Sequence, residues 1–469
     1  MKFETLHHDA SQFAVARPGS MTPVFRSSAK HLHPLMIERE RQRAVNAAKL
    51  ERMFAKPLVA SLSGHTDGIS ALSRCRTSLA PVITGAYDGE LIFWSSGERR
   101  AVQRKFQAHA GVIRGVTTSG DDKVVYSCGG ADRRVYAWQL DLDLFGDSAE
   151  LIDDIRETKT SEMALVQTYE SSRGGFSSID SHWKLHEFVC GSGAVIEVYD
   201  PMRSKAKTVM MASDWETHEA IIAVKYNPSE SHLVAASTQG NHVLLFDSRV
   251  PHSGGAVSRM QLQGRGNSLS WNPREPMNLA VASEDCNGYV FDMRNLTQAR
   301  QVYKGHVQAV TSIDFSPIGK ELVLGSYDKT VRIFKQYEEK AREVYFAKRM
   351  QRISAVVYAG DGRYLYSASE DMNLRIWKAR ASEKLGVVAE REKKAIAYRD
   401  KLKDKFQHDD EVRKITKHRY VPKFIKNQGK QRSEMFAARE RKDQNKEKFQ
   451  KGFLKLNDKQ RVVRNTTHP

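Results

Sequence analysis

A histidine, a serine and an aspartate recur together along this chain, and these are the three residue types of a hydrolase triad. In the clearest instance His306 precedes Ser326 by 20 residues and Asp328 by 22 residues. A histidine that bonds both a hydroxyl and a carboxylate can activate the hydroxyl as a nucleophile. The same groups can instead form a buried hydrogen-bond network, in which no charge is left unpaired. The secondary structure predicted around these residues helps to decide between the two interpretations.

Three short segments around this trio have the pattern of β-strands. They lie within residues 305–334 and are separated by turn residues such as Ser316-Pro317-Ile318-Gly319. Alternation of apolar and polar residues with a period of two predicts strands rather than a helix. Three strands cannot bury both of their faces alone, so the unit requires further copies of itself.

Further copies occur along the chain at a nearly constant spacing. Each ends in an aromatic residue: Trp94, Trp138, Tyr199, Phe246, Phe291, Phe334 and Trp377. Five of the six steps are 43 to 47 residues and one is 61 residues. This pattern resembles the WD40 repeat, whose period is about 40–45 residues. We therefore predict an all-β, seven-bladed β-propeller of four-stranded blades, numbered one to seven by these closing residues.

The predicted blades repeat the histidine and the aspartate. The aspartate stands six residues before the closing aromatic in five blades, as Asp88, Asp132, Asp285, Asp328 and Asp371. A histidine opens four blades, as His65, His109, His218 and His306. A triad would have to be catalytic in several blades at once, so we interpret these residues, with Ser326, as a structural network. We predict no catalytic residue, metal or cofactor.

Three blades depart from the repeat. Gly193 and Gly240 stand at the aspartate position of blades three and four, and Arg349 stands at the histidine position of blade seven. We expect these blades to depend more on packing than on the polar network.

Composition and missing motifs exclude several classes of protein. The sequence contains no run of about 18 apolar residues, so no transmembrane helix is predicted. The N-terminus lacks the apolar core of a secretory signal. The four cysteines are far apart, which indicates reduced thiols in an intracellular protein and argues against a zinc site. No glycine-rich phosphate-binding motif is present, so we expect no bound nucleotide.

The net charge of +18 is concentrated at the two ends of the chain. Residues 381–469 hold 26 Lys and Arg against 13 Asp and Glu, and residues 1–56 hold 10 against 5. Concentrated positive charge is typical of proteins that bind polyanions, most often nucleic acid. The alternative is a solvated helix face with internal ion pairs.

We predict contacts with RNA or protein partners at two sets of basic residues. The C-terminal set is Lys393, Lys394, Arg399, Lys401, Lys403, Arg413, Lys414, Lys417, His418, Arg419 and Lys423. The N-terminal set is Lys49, Arg52 and Lys56.

The chain outside the repeats is predicted to be mainly helical. After an extended arm, helix-forming residues that follow Pro34 predict a helix ending before Pro57. Residues 57–62 predict a strand that completes blade seven. Beyond Arg380, the spacing predicts three helices, at 388–406, from 409 to before Pro422, and at about 433–456. They hold too few apolar residues for a core of their own, so we expect them to lie along the propeller or on a partner. The predicted segments are therefore 1–56, 57–380 and 381–469.

An acidic insertion over residues 140–164 accounts for the one long step between repeats. A loop of this length is usually functional or disordered. It could contact a basic partner or mask the basic tail, and the sequence leaves its role open.

Two D-x-R boxes end neighbouring blades, Asp247-Ser248-Arg249 in blade four and Asp292-Met293-Arg294 in blade five. They resemble the boxes by which some WD-repeat proteins dock on the adaptor of cullin-RING ubiquitin ligases. An arginine held by the aspartate could present a planar set of donors to a partner. The alternative is that each pair only stabilises the end of its blade.

Two further stretches resemble the SOF family of WD-repeat proteins over essentially the whole chain. They are NAAKLERMFAKP at residues 46–57 and KHRYVPKFI at residues 417–425. The resemblance implies a nucleolar, non-enzymatic scaffold of the small-subunit processome and the U3 small nucleolar ribonucleoprotein. The protein would be present there as a monomer and would support pre-18S ribosomal RNA processing. Its partners would be processome proteins, U3 RNA and pre-ribosomal RNA. Metazoan relatives are also described as cullin-ligase substrate receptors, which is the alternative function.

Overall fold

The computed structural model describes residues 35–95, 103–140, 164–171, 173–211, 219–250, 256–450 and 457–467. Contacts divide the chain into two compact units. The first joins residues 1–57 to residues 380–420, and the second joins residues 58–379 to residues 421–469. The predicted division differs from this one, because the basic extension is shared between the two units. Of the predicted acidic insertion, only its two end residues lie within the described residues.

The β-strands of the second unit form seven antiparallel sheets, one for each predicted blade. In chain order they begin with β1 (Leu58–Ser63), then β2 (Ile69–Arg74), β3 (Val82–Ala86), β4 (Glu90–Trp94) and β5 (Gln103–Gln107) of blade one, β6 (Ile113–Thr118), β7 (Val124–Gly129), β8 (Arg134–Gln139) and β9 (Leu165–Glu170) of blade two, and β10 (Phe176–Ser181), β11 (Phe188–Ser192), β12 (Val195–Tyr199) and β13 (Thr208–Met211) of blade three. They continue with β14 (Ile221–Tyr226), β15 (Leu233–Thr238), β16 (His242–Asp247) and β17 (Ser258–Leu262) of blade four, β18 (Gly266–Trp271), β19 (Asn278–Ser283), β20 (Gly288–Asp292) and β21 (Gln301–Tyr303) of blade five, β22 (Val310–Phe315), β23 (Glu321–Ser326), β24 (Val331–Lys335) and β25 (Glu343–Tyr345) of blade six, and β26 (Ile353–Tyr358), β27 (Tyr364–Ser369) and β28 (Asn373–Lys378) of blade seven. The seven-bladed propeller predicted from the repeats is confirmed.

The first strand of the chain completes the last blade. β1 pairs antiparallel with β28, with Ser63 opposite Asn373 and Ala60 opposite Ile376. Blade seven therefore takes its outer strand from the start of the repeat region, as predicted. The pairing closes the ring, and such closure leaves only short, protected strand edges.

Hydrogen bonds between the first strands of neighbouring blades align the ring. At four of the junctions the second residue of the strand reaches the next blade. For example, Asn267 Nδ2 donates to the Val310 carbonyl at 2.8 Å, and Thr311 Oγ1 donates to the Ile353 carbonyl at 2.7 Å. Close packing accompanies these bonds. A Cβ on Gly325 would lie 2.5 Å from a side-chain carbon of Val356, so only glycine lets the blades approach this closely.

The first unit contains three helices: α1 (Met36–Met53), α2 (Glu390–Lys405) and α3 (Asp410–Lys417). All three were predicted, and Asp409 caps α3 by accepting a hydrogen bond from Val412 N–H. Ala44, Val45, Leu402 and Val412 form a buried cluster among them. As predicted, α2 and α3 do not form a core by themselves, because the cluster requires Ala44 and Val45 of α1.

The second unit ends in α4 (Lys423–Phe449), α5 (Asp458–Arg461) and β29 (Val463–Thr467). α4 begins about ten residues earlier than predicted, because its first turns hold few apolar residues to mark them. β29 was not predicted. It pairs antiparallel with β17 and adds a fifth strand to blade four. Among the helices of the described residues, none has the length and apolar character that a membrane span requires.

Candidate partner-binding surfaces

Blade two holds the complete polar network that the repeat predicted. His109 Nδ1 lies 2.6 Å from the Asp132 carboxylate, and His109 Nε2 lies 2.8 Å from Ser127 Oγ. Trp138 Nε1 also donates to Ser127 Oγ at 2.9 Å. This arrangement has the connectivity of a triad, but Ser127 is fully buried. No substrate can reach its hydroxyl, so the network connects strands rather than performing catalysis.

Blade six keeps only half of this network. His306 Nδ1 lies 2.9 Å from the Asp328 carboxylate, and both side chains are buried. Burial alone would raise the pKa of Asp328, but His306 and the neighbouring Arg332 hold it far below its usual range. Ser326 Oγ donates to the carbonyls of Gln308 and Ala309 instead of bonding His306. The trio that could have been a hydrolase triad therefore lacks the bond between nucleophile and base.

Blades one and seven use other partners for the same positions. His65 Nε2 lies 2.6 Å from Thr84 Oγ1, whereas Asp88 accepts a bond from Thr66 rather than from His65. In blade seven Asp371 pairs with the buried Arg375, at 3.0 Å from its Nη1. Arg349, at the predicted histidine position, is exposed. A buried arginine on the strand thus replaces the missing histidine.

Blade four also has a polar network, contrary to the expectation that it depends mainly on packing. Glu219 accepts a bond from Thr238 Oγ1 at 2.7 Å, and its carboxylate lies 2.8 Å from His242 Nδ1. His218, predicted as the leading histidine, lies outside the described residues. Gly240, which replaces the usual aspartate, leaves room for the Glu219 carboxylate. In blade four the carboxylate therefore comes from the loop before the first strand and the imidazole from the third strand, which reverses the arrangement in blade two.

Blade three replaces the usual pair with a buried glutamate. Glu197 accepts a hydrogen bond from Ser171 Oγ at 3.1 Å and one from Tyr199 OH at 2.7 Å. Its position, four residues after Gly193, matches that of Arg332 and Arg375 in their blades. A polar residue at this strand position was the sequence signal for these networks.

Both D-x-R boxes form the forked pair that the sequence suggested. Arg249 donates from Nε and Nη2 to Asp247 at 3.0 and 2.7 Å, and Arg294 donates likewise to Asp292 at 3.0 and 2.8 Å. The arginine side chains are 69% and 70% exposed. These hydrogen bonds are the main reason that the pKa values of Asp247 and Asp292 are lowered. Each guanidinium is held in one orientation and remains accessible. The geometry therefore permits both docking on a partner and stabilisation of the blade end.

The predicted basic residues of the helical unit differ in how available they are. Exposed side chains without a hydrogen bond or ion pair to another described residue belong to Lys49, Lys393, Arg399, Lys401, Arg413, Lys414 and Lys417. Lys56 and His418 are exposed as well, and Lys394 lies 3.7 Å from Glu390. The exposed set covers α2 and α3, and its binding role remains a prediction.

Three of the predicted basic residues contribute to the fold of the helical unit. Lys403 bridges Glu51 and Asp400 at 2.7 Å each, with its side chain 18% exposed. Arg52 Nη2 donates to the Thr416 carbonyl at 2.8 Å, and Arg419 donates to the same carbonyl. For Lys403 and Arg52, sequence patterns cannot separate such internal cations from free ones, because Glu51 and Thr416 are more than 350 residues away in the chain.

The C-terminal tail is anchored on blades four to six, in agreement with the expectation that its helix lies along the propeller, although the individual contacts were not predicted. From α4, Arg432 donates to the carbonyls of His306 and Asp285 at 2.8 and 3.1 Å. In α5, Asp458 lies 2.6 Å from Lys304 Nζ. Lys423, the last of the predicted basic residues, starts α4 and is exposed. Most of α4 outside this anchored face is exposed as well, so its many cations face solvent.

Comparison with known proteins agrees with this architecture. The WD domain, G-beta repeat model matches residues 56–95, 100–139 and 346–378, and a NUP159/214 beta propeller model matches residues 197–359. The Sof1-like domain model matches residues 379–463. Protein SOF1 of Saccharomyces cerevisiae is 32% identical over 480 residues, which cover 100% of this chain and 95% of that protein. This chain belongs to the Sof1 family of WD-repeat proteins.

Animal members of the Sof1 family are similar over their full length too. The proteins named DDB1- and CUL4-associated factor 13 from Danio rerio and Homo sapiens are each 37% identical over 451 residues, covering 96% of both chains. The region matched by the Sof1-like domain model contains α2, α3, α4 and α5 and reaches the start of β29. The family's distinguishing region is therefore the helical extension with its cations, not the propeller.

Proposed function

We propose that this Sof1-family protein is a non-enzymatic scaffold of the small-subunit processome. In this role it binds the U3 ribonucleoprotein and pre-ribosomal RNA in the nucleolus and supports pre-18S RNA processing. The observation that carries the proposal is the coincidence of the Sof1-like domain with a set of exposed, unpaired cations on α2 and α3. Membership of the family that includes Protein SOF1 supports the same assignment.

The propeller provides rigidity and the helices provide charge. Ring closure by β1 and the bonds between neighbouring blades keep the loops of the propeller in fixed positions for protein partners. On the helical unit, the exposed cations neutralise RNA phosphates and release condensed counterions, so binding is steeply salt-dependent and nearly independent of base sequence. Arg413, Lys414 and Lys417 form the densest exposed group, within one eight-residue helix.

The test is recovery of RNA with the tagged full-length chain under native conditions. We expect wild type to recover U3 RNA and pre-ribosomal RNA, and the triple variant with Arg413, Lys414 and Lys417 changed to Glu to lose most of both. A matched control reverses three exposed propeller cations, Lys123, Lys205 and Lys320, and should retain both RNAs. Absence of U3 RNA from the wild-type sample would exclude the processome role, and equal losses in both variants would exclude a specific role for α3.

A second candidate function is substrate recognition for a cullin-RING ubiquitin ligase. Two observations favour it: the relatives named DDB1- and CUL4-associated factor 13, and the forked, accessible Arg249 and Arg294 at the ends of β16 and β20. In this role the two arginines dock the propeller on the ligase adaptor. The two functions use different surfaces, so one chain can perform both.

A further inference from the structure

A groove between α1 and α2 is built from two matching helical stripes. Residues 43, 46, 47 and 50 of α1 and residues 395, 398, 399 and 402 of α2 line a cavity of about 270 Å³. Each set has the spacing i, i+3, i+4 and i+7, which places its four members on one face of a helix. The stripes extend for about 10 Å along each helix at 1.5 Å per residue. The groove thus has the dimensions of two turns of a third helix.

The floor of the groove is apolar and partly open to solvent. Ala47 and Leu402 are buried at 7% and 1% exposure, whereas Leu50 at the rim is 39% exposed. The small side chains of Ala47 and Ala395 allow a helix to approach closely. Aliphatic floors of this kind receive the apolar face of an amphipathic helix. Tyr398 is the one aromatic residue among the eight that line the groove, and a single ring cannot stack the successive bases of an RNA strand.

Cations stand on both walls of the groove. Arg43 on α1 and Arg399 on α2 are exposed, and neither bonds a carboxylate within the described residues. Two carboxylates of this unit that are at least partly buried have other partners: Glu40 pairs with Lys405 at 2.6 Å, and Asp409 pairs with Arg41 at 2.8 Å. An occupant therefore meets two free guanidinium groups beside an apolar floor, and guanidinium groups bind carboxylates through paired hydrogen bonds.

We propose that this groove binds an acidic amphipathic helix from a partner protein. Its apolar residues fill the space between Leu50 and Leu402, and its Asp or Glu residues pair with Arg43 and Arg399. The inference goes beyond the proposed scaffold function and does not depend on it. It also specifies the role of Arg399, which the sequence predicted to contact either RNA or a protein partner.

The direct test measures binding of a synthetic peptide to the full-length chain by fluorescence anisotropy. The probe is a helical peptide with Leu at i, i+3, i+4 and i+7 and Glu at the other central positions, and its control has Lys in place of each Glu. We expect saturable binding of the acidic probe only. The double variant Arg43→Glu with Arg399→Glu should weaken the acidic probe at least tenfold and gain affinity for the Lys peptide. Absence of saturable binding to wild type, or equal binding to the double variant, overturns the proposal.

Two further variants separate the groove from the surrounding charge. Leu50→Glu should abolish probe binding, whereas Met53→Glu, at a 72% exposed position on the same helix outside the groove, should not change it. Circular dichroism melts verify that both variants keep the helical unit folded. A photo-crosslinking residue at Asn46 in cells then identifies the occupant. Crosslinks to an acidic segment with apolar anchors support the proposal, whereas crosslinks to RNA or to basic segments overturn it.

Discussion

The Glu219 carboxylate occupies the space that a Cβ on Gly240 would require. In blades two and six an aspartate at the position of Gly240 supplies the carboxylate, and a histidine approaches it from the preceding loop. Here the loop supplies the carboxylate and the strand supplies His242. The missing aspartate is therefore a compensated exchange and not a defect of the repeat.

Restoring the usual aspartate should destabilise blade four. Gly240→Asp would place a second carboxylate against Glu219, and both steric overlap and like charge oppose this. We expect a loss of about 2–4 kcal/mol, seen as a lower midpoint of thermal unfolding by calorimetry. The double variant Gly240→Asp with Glu219→Ser should recover much of the loss. A single variant as stable as wild type would contradict the exchange.

The sequence predicted the parts of this fold that repeat with a fixed period. The closing aromatics from Trp94 to Trp377 gave the number of blades, and residues 57–62 gave the strand that closes the ring. The spacing of the repeats and the position of a strand within a repeat do not depend on distant contacts, so they can be predicted from a single sequence. The alternation within residues 305–334 likewise gave the three inner strands of blade six.

Features that depend on distant partners could not be predicted in this way. Ala44 and Val45 gain their core only by meeting Leu402, more than 350 residues later in the chain. β29 is a short strand with little alternation, and its pairing with β17 depends on a contact across about 200 residues. Among the candidate site residues, the same reason explains why Lys403 and Arg52 were grouped with the free cations.

Acidification should destabilise blade one through His65. Burial lowers the pKa of His65 to about 4, so the unfolded chain binds a proton below about pH 6.5 that the folded chain does not bind until about pH 4. Stability therefore falls as the pH falls through this window, by about 2 kcal/mol between pH 6.5 and 5. Denaturant titrations at the two pH values measure it.

A variant isolates the contribution of His65. His65→Gln keeps a hydrogen-bond partner for Thr84 but cannot titrate, so its stability should fall by less over the same pH interval. His186, whose side chain is 70% exposed, provides the matched control, and His186→Gln should keep the full pH dependence. The explanation fails if His65→Gln and wild type lose equal stability.

Shortening Val462 should loosen the fifth strand of blade four. Val462 is 5% exposed within the core cluster of blades four and five, and its carbonyl accepts a bond from Gln263 N–H at 3.0 Å. Val462→Ala should cost about 1–3 kcal/mol locally. Hydrogen exchange of the Gln263 amide and of β29 should then accelerate. Arg464→Ala, at an exposed position of the same strand, should leave exchange unchanged, and an equal effect of both variants would refute the anchoring role of Val462.

Reversing the two D-x-R arginines should decide whether the propeller docks on a ligase adaptor. Because Asp247 and Asp292 fix the guanidinium groups of Arg249 and Arg294, docking would use planar donors that a lysine cannot supply. With purified DDB1, we expect Arg249→Glu with Arg294→Glu to weaken binding at least tenfold, about 1.4 kcal/mol, and the corresponding lysine variant to lose part of the affinity. Arg203→Glu is the matched control, because Arg203 is exposed in the loop that follows the third strand of blade three. Adaptor binding that survives the double reversal would leave the forked pairs with a structural role at the blade ends, and the scaffold function would then stand alone.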